Sequence, residues 1–485
     1  MINIRPILFV LGLLLIVLGL TMFVPIIIEI TNNFKESQKF IYSSGITIFF
    51  GLLLFTTNYK QEISSLTIKD AFLLTSLSWL IVVLFSSIPF MLTSINLDFT
   101  NSFFEAMSGI TTTGSTIITN LDEQSKGILI WRAMLQWFGG IGIILMAIGI
   151  LPALKIGGMQ LFKMQLDDGS EKILPRTSKI ATSIFFVYFA LTIICTACFF
   201  LSGMNLFNSV AHAMTTISTG GFSTFDKSIG HFNSSFVEYT TIIFMILGSL
   251  PFLLYLKIVT GKQNSITRDS QVKLFLFVLL ISALSIFIYR YINVDNLQIL
   301  ETFRHSLFSV TSIMTGTGYT TTNFGLWGNF AGVLFIFIMF IGGCAGSTTC
   351  GIKVFRFQIL FESVSIQIKQ LLHPHGVFVP HYNNKSISEA IVSSVISFFL
   401  IFVLAFLVLT IGLILLNLDF LTAFTAAATS LSNVGPGLGH IIGPDGDFQS
   451  LSHSVKWLLS LGMFFGRLEL ITVLILFLPS FWQKV

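Results

Sequence analysis

Residues 315–321 read Thr-Gly-Thr-Gly-Tyr-Thr-Thr, and this short run between two long apolar stretches decides how the chain is read. Three further runs share its design: Thr111-Thr112-Thr113-Gly114-Ser115-Thr116, Ser218-Thr219-Gly220-Gly221-Phe222-Ser223-Thr224 and Ser432-Asn433-Val434-Gly435-Pro436-Gly437. Each follows an amphipathic segment too short to cross a bilayer, at about 100–112, 206–217, 300–314 and 419–431. These segments start near Asn101, Asn208, Glu301 and Asp419. Aligning Gly114, Gly220, Gly318 and Gly435 gives intervals of 106, 98 and 117 residues, each with room for one span–loop–span unit. Backbone that enters a membrane and returns is tolerated only where it is buried in protein or lines a water-filled path. Four such hairpins predict a central axis with fourfold pseudosymmetry.

The surrounding chain is apolar enough to require a bilayer. Of its 485 residues 54% are hydrophobic, 52 are Phe, and only 10% are charged, against about 25% in a soluble domain. That balance excludes intrinsic disorder, a nucleic-acid binder and a secreted disulfide scaffold. A helical span needs roughly 20 apolar residues. Such runs lie near 7–29, 38–57, 71–94, 129–154, 181–203, 238–258, 272–294, 329–360, 390–416 and 456–480. The first run is too long for the core of a signal peptide and no small-residue cleavage site follows it. The runs lack the alternation of a transmembrane β-barrel.

The fold class expected is an all-α polytopic membrane protein, with two N-terminal helices and four pseudo-repeats of helix, short pore helix, turn and helix around one pore. The expected boundaries are 1–67 for the extra helices and 68–165, 166–262, 263–370 and 371–485 for the repeats.

Ten spans put both termini on one side. That side, with loops 58–70, 153–180, 256–274 and 352–389, carries 17 Lys and Arg and 8 acids; the opposite loops carry 8 and 13. The positive-inside rule places the first group in the cytoplasm. The outer face is left with a mild excess of acid that attracts cations. Cys195 and Cys198 share one span and Cys344 and Cys350 another, so no disulfide framework is expected, only small packing residues.

The turns suit one task. Glycine admits positive φ, so consecutive carbonyls can turn toward a common axis and replace the hydration shell of a monovalent cation. The β-branched Thr113, Thr219, Thr317 and Val434 beside the glycines stiffen each strand. The C-termini of the short helices would point their partial negative charge at the cavity below. The candidate carbonyl donors are Thr111, Thr112, Thr113 and Gly114; Ser218, Thr219 and Gly220; Gly316, Thr317 and Gly318; Asn433, Val434 and Gly435. Thr and Gly also recur at ordinary membrane helix interfaces, but four such turns in register favour a pore.

These turns, with Trp137-Phe138-Gly139-Gly140-Ile141-Gly142, Gly342-Gly343-Cys344-Ala345-Gly346-Ser347-Thr348, Asn433-Val434-Gly435-Pro436-Gly437-Leu438-Gly439 and Gly466-Arg467-Leu468-Glu469, carry a resemblance. Over essentially its whole length the chain resembles the TrkH/KtrB branch of the superfamily of K⁺ transporters, and within it the TrkH family. The resemblance implies channel-like K⁺ uptake across the bacterial inner membrane, with K⁺ held at filter carbonyls only and no cofactor in this chain. It implies a homodimer whose subunits each hold a pore. It also implies a cytosolic TrkA-like regulatory ring, on which a nucleotide, ATP/ADP or NAD(H), would bind.

The eighth span is interrupted at Gly342 and Gly343, Cys344, Ala345, Gly346, Ser347, Thr348, Thr349, Cys350 and Gly351, too rich in glycine and hydroxyls to hold a regular helix. It reads either as a kink satisfied by Ser/Thr back-bonding or as an unwound loop obstructing the cytoplasmic half of the pore. The resemblance makes residues 343–351 the gate, with Thr349 and Cys350 standing where relatives carry Gly or Ser. Arg467 falls near the middle of the last span, where a charge costs at least ~2.5–3.5 kcal/mol, so it must face water or a partner. The preferred reading puts its positive charge in the pore near the gate; pairing with another helix is the alternative. Glu469 is the one acid expected inside the bilayer.

The loop 361–388 holds His373, His375 and His381, whose irregular spacing around Pro374 suits a solvated loop better than a metal site. With 155–179 and 257–273 it would form the surface where a regulatory ring docks. An enzyme is disfavoured, because His212, His231, His305, His440 and His453 are dispersed, and His212 and His305 fall on the short helices without an acid–nucleophile partner in sequence. The glycines at 435, 437 and 439 follow no strand, so they are not a dinucleotide loop. An alternating-access carrier, coupled to H⁺ or Na⁺, usually shows inverted repeats, whereas these repeats run parallel.

Overall fold

The computed structural model describes residues 4–59, 67–149, 177–259, 261, 265–294, 298–383 and 385–483. The protein is helical, apart from a two-stranded hairpin pairing His381–Tyr382 with Lys385–Ser386. Seven helices are long and apolar enough to cross a membrane unbroken: Ile4–Asn32, Phe34–Thr57, Ile68–Leu92, Lys126–Met146, Lys179–Leu201, Ser270–Asn293 and Glu389–Leu415. They correspond to spans one to five, seven and nine of the sequence. The repeat boundaries at 165/166 and 262/263, and most of the proposed docking segment 155–179, lie outside the described residues.

The other three spans are broken. Span six runs Ser235–Gly248 and then Phe252–Val259, bent by 89°. Pro251 stands between the two pieces and cannot donate a helical hydrogen bond. Span eight stops at Phe340, runs without helix through 341–353 and resumes as Val354–Leu372. Of the two readings of that segment, the unwound loop is the one observed.

Span ten bends by 106° between His453–Arg467 and Ile471–Phe477. No proline or glycine lies at that break. Glu469 instead takes a left-handed conformation, φ 60°, which costs about 1–3 kcal/mol in a residue with a side chain. Its carboxylate is held 2.5 Å from Arg356 Nη2, with the Arg356 side chain fully buried. A tertiary ion pair thus holds the residue at this bend, and Arg467 ends the first helix of the broken span.

Four short helices sit between the paired spans: Phe99–Ile110, Leu206–Ile217, Ile299–Met314 and Phe420–Ser432. The side chains of Asp98, Asn205 and Asp419 cap three of them, accepting from Asn101 N at 3.1 Å, Asn208 N at 2.8 Å and Thr422 N at 3.0 Å. The first three helices thus begin two residues ahead of Asn101, Asn208 and Glu301, which occupy the third helical position. Hydrogen bonds from Thr422 hold the exposed Asp419 carboxyl below the usual carboxylate range. The third helix has no side-chain cap and is longer, at 16 residues against 12 or 13.

The N-terminal pair packs backbone to backbone. A Cβ on Gly12 would lie 2.6 Å from Phe55 N, one on Gly51 2.8 Å from Ile16 N, and Ser44 Oγ donates to Gly19 O at 2.8 Å. Small residues are what allow membrane helices to come so close.

Candidate functional site

After each short helix the backbone follows one pattern. A residue in the left-handed region comes first: Thr112 (φ 52°), Thr219 (φ 51°), Gly316 (φ 69°), Asn433 (φ 51°). Two residues later comes a glycine of positive φ: Gly114 (86°), Gly221 (79°), Gly318 (79°), Gly435 (106°). The residue between them donates its N–H five residues back into the helix: Thr113 to Ser108, Gly220 to Thr215, Thr317 to Ser312 and Val434 to Thr429, at 2.8–3.0 Å. This corrects the sequence alignment of the second turn by one residue. Gly221, not Gly220, matches the other glycines, and Gly220 stands where the other turns carry Thr113, Thr317 and Val434. Thr219 matches Thr112, so it is not the stiff residue of its strand.

The four strands close into a ring. A Cβ on Gly114 would lie 2.4 Å from Gly220 O, on Gly221 1.7 Å from Thr317 O, on Gly318 2.1 Å from Val434 O, and on Gly435 2.8 Å from Thr113 O. Each glycine therefore lies against a carbonyl of the next strand, in the cyclic order of the repeats. Positive φ and this contact both exclude a side chain. The same four glycines line a cavity of about 80 Å³, with Asp226 also in its lining. A ring of four backbone carbonyls packed on these glycines is chemically suited to a dehydrated monovalent cation.

A buried ion pair stands beside this ring, with its Arg132 in the lining of the same cavity. Glu105 of the first short helix is fully buried and pairs with the buried Arg132 at 2.7 Å. Glu105 also accepts from Ile117 N at 2.8 Å, and Arg132 donates to Thr116 Oγ1 and Ser223 O, each at 2.9 Å. The Arg132 guanidinium lies 4.0 Å from the centre of the Phe222 ring. His212, nine residues before Gly221 as Glu105 is before Gly114, bonds Ser223 Oγ at 3.0 Å. By sequence alone Glu105 and Arg132 fall among the outer-loop charges, and Glu469 is the one acid expected inside the bilayer. Glu29, Glu36, Asp70, Glu105, Glu238 and Asp269 are buried too.

The loop of span eight lies against the inner side of the second turn. Residues 342–350 are all buried. Thr348 Oγ1 donates to Ile217 O and Gly248 O at 3.1 and 3.0 Å, and Thr219 Oγ1 lies 3.1 Å from it. Cys344 N bonds Ser249 O at 3.1 Å, and Phe252 N bonds Gly346 O at 2.9 Å, so the break in span six receives the loop. Lys353 reaches back to Thr349 O and Oγ1.

Arg467, 1% exposed, pins this loop. It donates through Nη1 to Thr348 O at 3.1 Å and Cys350 Sγ at 2.7 Å, and through Nη2 to Gly139 O at 2.6 Å. Its partners are carbonyls and a thiol rather than a carboxylate. Among the described residues, no three His, Cys, Asp or Glu cluster as metal ligands. His373 follows the helix Val354–Leu372 and His381 is in the hairpin.

The comparisons agree with this architecture. The family model for TrkH, described as a cation transport protein, matches residues 36–484. The chain is similar to the Trk system potassium uptake protein TrkI of Halomonas elongata, 40% identical over 99% of this chain and 97% of the relative. It is similar to the Trk system potassium uptake protein TrkH of Escherichia coli K12, 34% identical over 99% of each. It is also similar to the crystal structure of the potassium transporter TrkH from Vibrio parahaemolyticus, with TM-score 0.92 and 35% identity over 99% of this chain and 100% of that one.

Proposed function

Since the chain belongs to the TrkH family of cation transport proteins, we propose that it takes up K⁺ by channel-like permeation through the ring of four turns. The family is one of membrane transporters and not of enzymes. The observation that carries the reading is the closed ring itself, four carbonyls each packed on a neighbour's glycine. The filter is read as Thr111–Gly114, Ser218–Gly221, Thr315–Gly318 and Ser432–Gly435, which adds Gly221, Thr315 and Ser432 to the sequence-derived set. K⁺ is the transported ion, held at these carbonyls.

The loop at 343–351 is the gate in this reading, held across the inner side of the filter by Arg467 and by Thr348. The charge of Arg467 adds a barrier to a cation at the same place. H⁺ or Na⁺ coupling would call for a carboxylate on the ion path, whereas Glu469, two residues from Arg467, is tied to Arg356. Channel-like passage is therefore preferred to symport. The four repeats follow two extra helices, and the protein sits in the bacterial inner membrane with both termini cytoplasmic. It works as a homodimer with a cytosolic TrkA-like ring, where ATP/ADP or NAD(H) acts.

Reconstitution into liposomes with ion-replacement flux tests the reading. K⁺ loading should drive uptake that Na⁺ replacement abolishes. Equal Na⁺ and K⁺ permeation, or no flux from folded protein, would overturn it.

A further inference from the structure

Three of the four filter strands carry a β-branched residue at one equivalent position, Thr113, Thr317 and Val434, while the second carries Gly220 followed at once by Gly221. Two consecutive glycines make the least restrained dipeptide available, at the position where the other strands are stiffest. At this strand a foreign side chain enters the space. A Cβ on Gly220 would lie 2.4 Å from both Cδ and Oε1 of Gln136. Gln136 is fully buried, and its amide makes two backbone contacts. Nε2 donates to Gly220 O at 2.5 Å, and Oε1 accepts from Phe222 N at 3.0 Å. These bonds bracket Gly221, the glycine pressed against Thr317 O.

One helical turn earlier on the same face, Arg132 donates to Ser223 O at 2.9 Å. Both residues belong to the helix Lys126–Gly149 that follows the first turn, yet they hold the strand of the second. The first strand has no such need, since Thr113 supplies its own branched side chain and bonds Thr111 Oγ1 at 2.7 Å.

We propose that Gln136, assisted by Arg132, is a positioning residue that sets K⁺ over Na⁺ selectivity by splinting the glycine pair of the second filter strand. The inference rests on the K⁺ reading above. Gln136 touches no ion. It fills the volume that Thr or Val fills elsewhere and fixes the Gly220 carbonyl and the peptide after Gly221. A strand released from it samples more than one carbonyl arrangement, and a smaller ion such as Na⁺ is then coordinated as well as K⁺.

The test measures the K⁺/Na⁺ permeability ratio of the full-length protein in liposomes, a quantity independent of how much protein is active. Gln136→Ala is expected to lower the ratio about tenfold or more while K⁺ still passes. Gly220→Thr alone has no room and should abolish flux. The double variant Gln136→Ala/Gly220→Thr restores a branched side chain to the strand and should regain most of the ratio. Arg132→Lys keeps the charge beside Glu105 but loses the fork that reaches Ser223, so its ratio should fall as well.

A folded Gln136→Ala protein with the wild-type ratio overturns the inference, as does a double variant no more selective than Gln136→Ala. If Gln136→Ala does not fold, the double variant decides: selectivity in it supports the splint, and its absence overturns it. A wild-type ratio near one instead overturns the K⁺ reading, and this inference with it.

Discussion

Replacing Arg467 with Ala is expected to raise K⁺ or Rb⁺ uptake. The guanidinium makes two contacts to the loop, with Thr348 O and Cys350 Sγ, and a third with Gly139 O that anchors it to span four. A hydrogen bond from a charged donor contributes about 1.5–3 kcal/mol, and a thiol is a weak acceptor. The carbonyl bond therefore dominates, and roughly 2–3 kcal/mol of loop restraint is lost. At about 1.4 kcal/mol per tenfold, the equilibrium between held and released loop shifts by roughly 30- to 150-fold. Loss of the fixed positive charge lowers the barrier to a cation in the same direction. The assay is uptake of radioactive Rb⁺ into K⁺-loaded liposomes, with size-exclusion chromatography to confirm folding. Arg467→Lys separates the two contributions. If the hydrogen bonds dominate, Lys behaves more like Ala; if the charge dominates, it behaves like the wild type. Shortening the loop within 344–350 should act in the same direction as Arg467→Ala. Unchanged or reduced uptake by folded Arg467→Ala would refute the argument and leave Arg467 as a structural tie.

Glu105→Ala strands the buried Arg132, so a loss of about 3–5 kcal/mol is expected, read as a lower thermal unfolding midpoint in detergent; an unchanged midpoint would mean the pair is not buried as described. Gly221→Ala should abolish K⁺-selective flux, because its Cβ would meet Thr317 O at 1.7 Å. Gly203→Ala is the control: φ is 98° there too, but nothing lies within 4 Å, so only about 1 kcal/mol of backbone strain is expected. Equal behaviour of the two glycine variants in flux and unfolding would remove the close-contact argument.

The spans were legible because a run of apolar residues is a local property that the bilayer reads directly. The break in span eight was legible because its glycines crowd ten positions. That in span six carries an equally local sign, Pro251 after Gly248 and Ser249, although the sequence reading ran through it. The break in span ten carries no such sign; Glu469 there pairs with Arg356, 113 residues away. The second turn was misaligned because two adjacent glycines offer two registers. Only the backbone separates them, through φ 51° at Thr219, a residue whose left-handed conformation no local preference announces. The Glu105–Arg132 pair joins residues 27 apart whose identities suggest surface loops.

The outer acidic excess acquires a more specific meaning once these pairs are known. Glu36 with Lys39, Glu105 with Arg132 and Glu238 with Arg304 form ion pairs within 2.7–2.9 Å, so three charges of each sign drop out of the outer balance. The excess of five acids is unchanged, but it now rests on the remaining carboxylates. Among these, Asp226 lines the cavity above the ring of glycines and accepts a bond from Leu121 N at 3.0 Å, which fixes where its charge lies. A negative field focused at a cleft raises the local concentration of cations. Arg132 lines the same cavity, but its charge is balanced by the buried Glu105 at 2.7 Å. In the proposed reading, Asp226 at the mouth would gather an entering cation and backbone carbonyls would meet it below. On the proposed reading, affinity at the ring would depend on how rigidly the strands are held, so the residues behind the strands would matter to selectivity as well as those that face the ion.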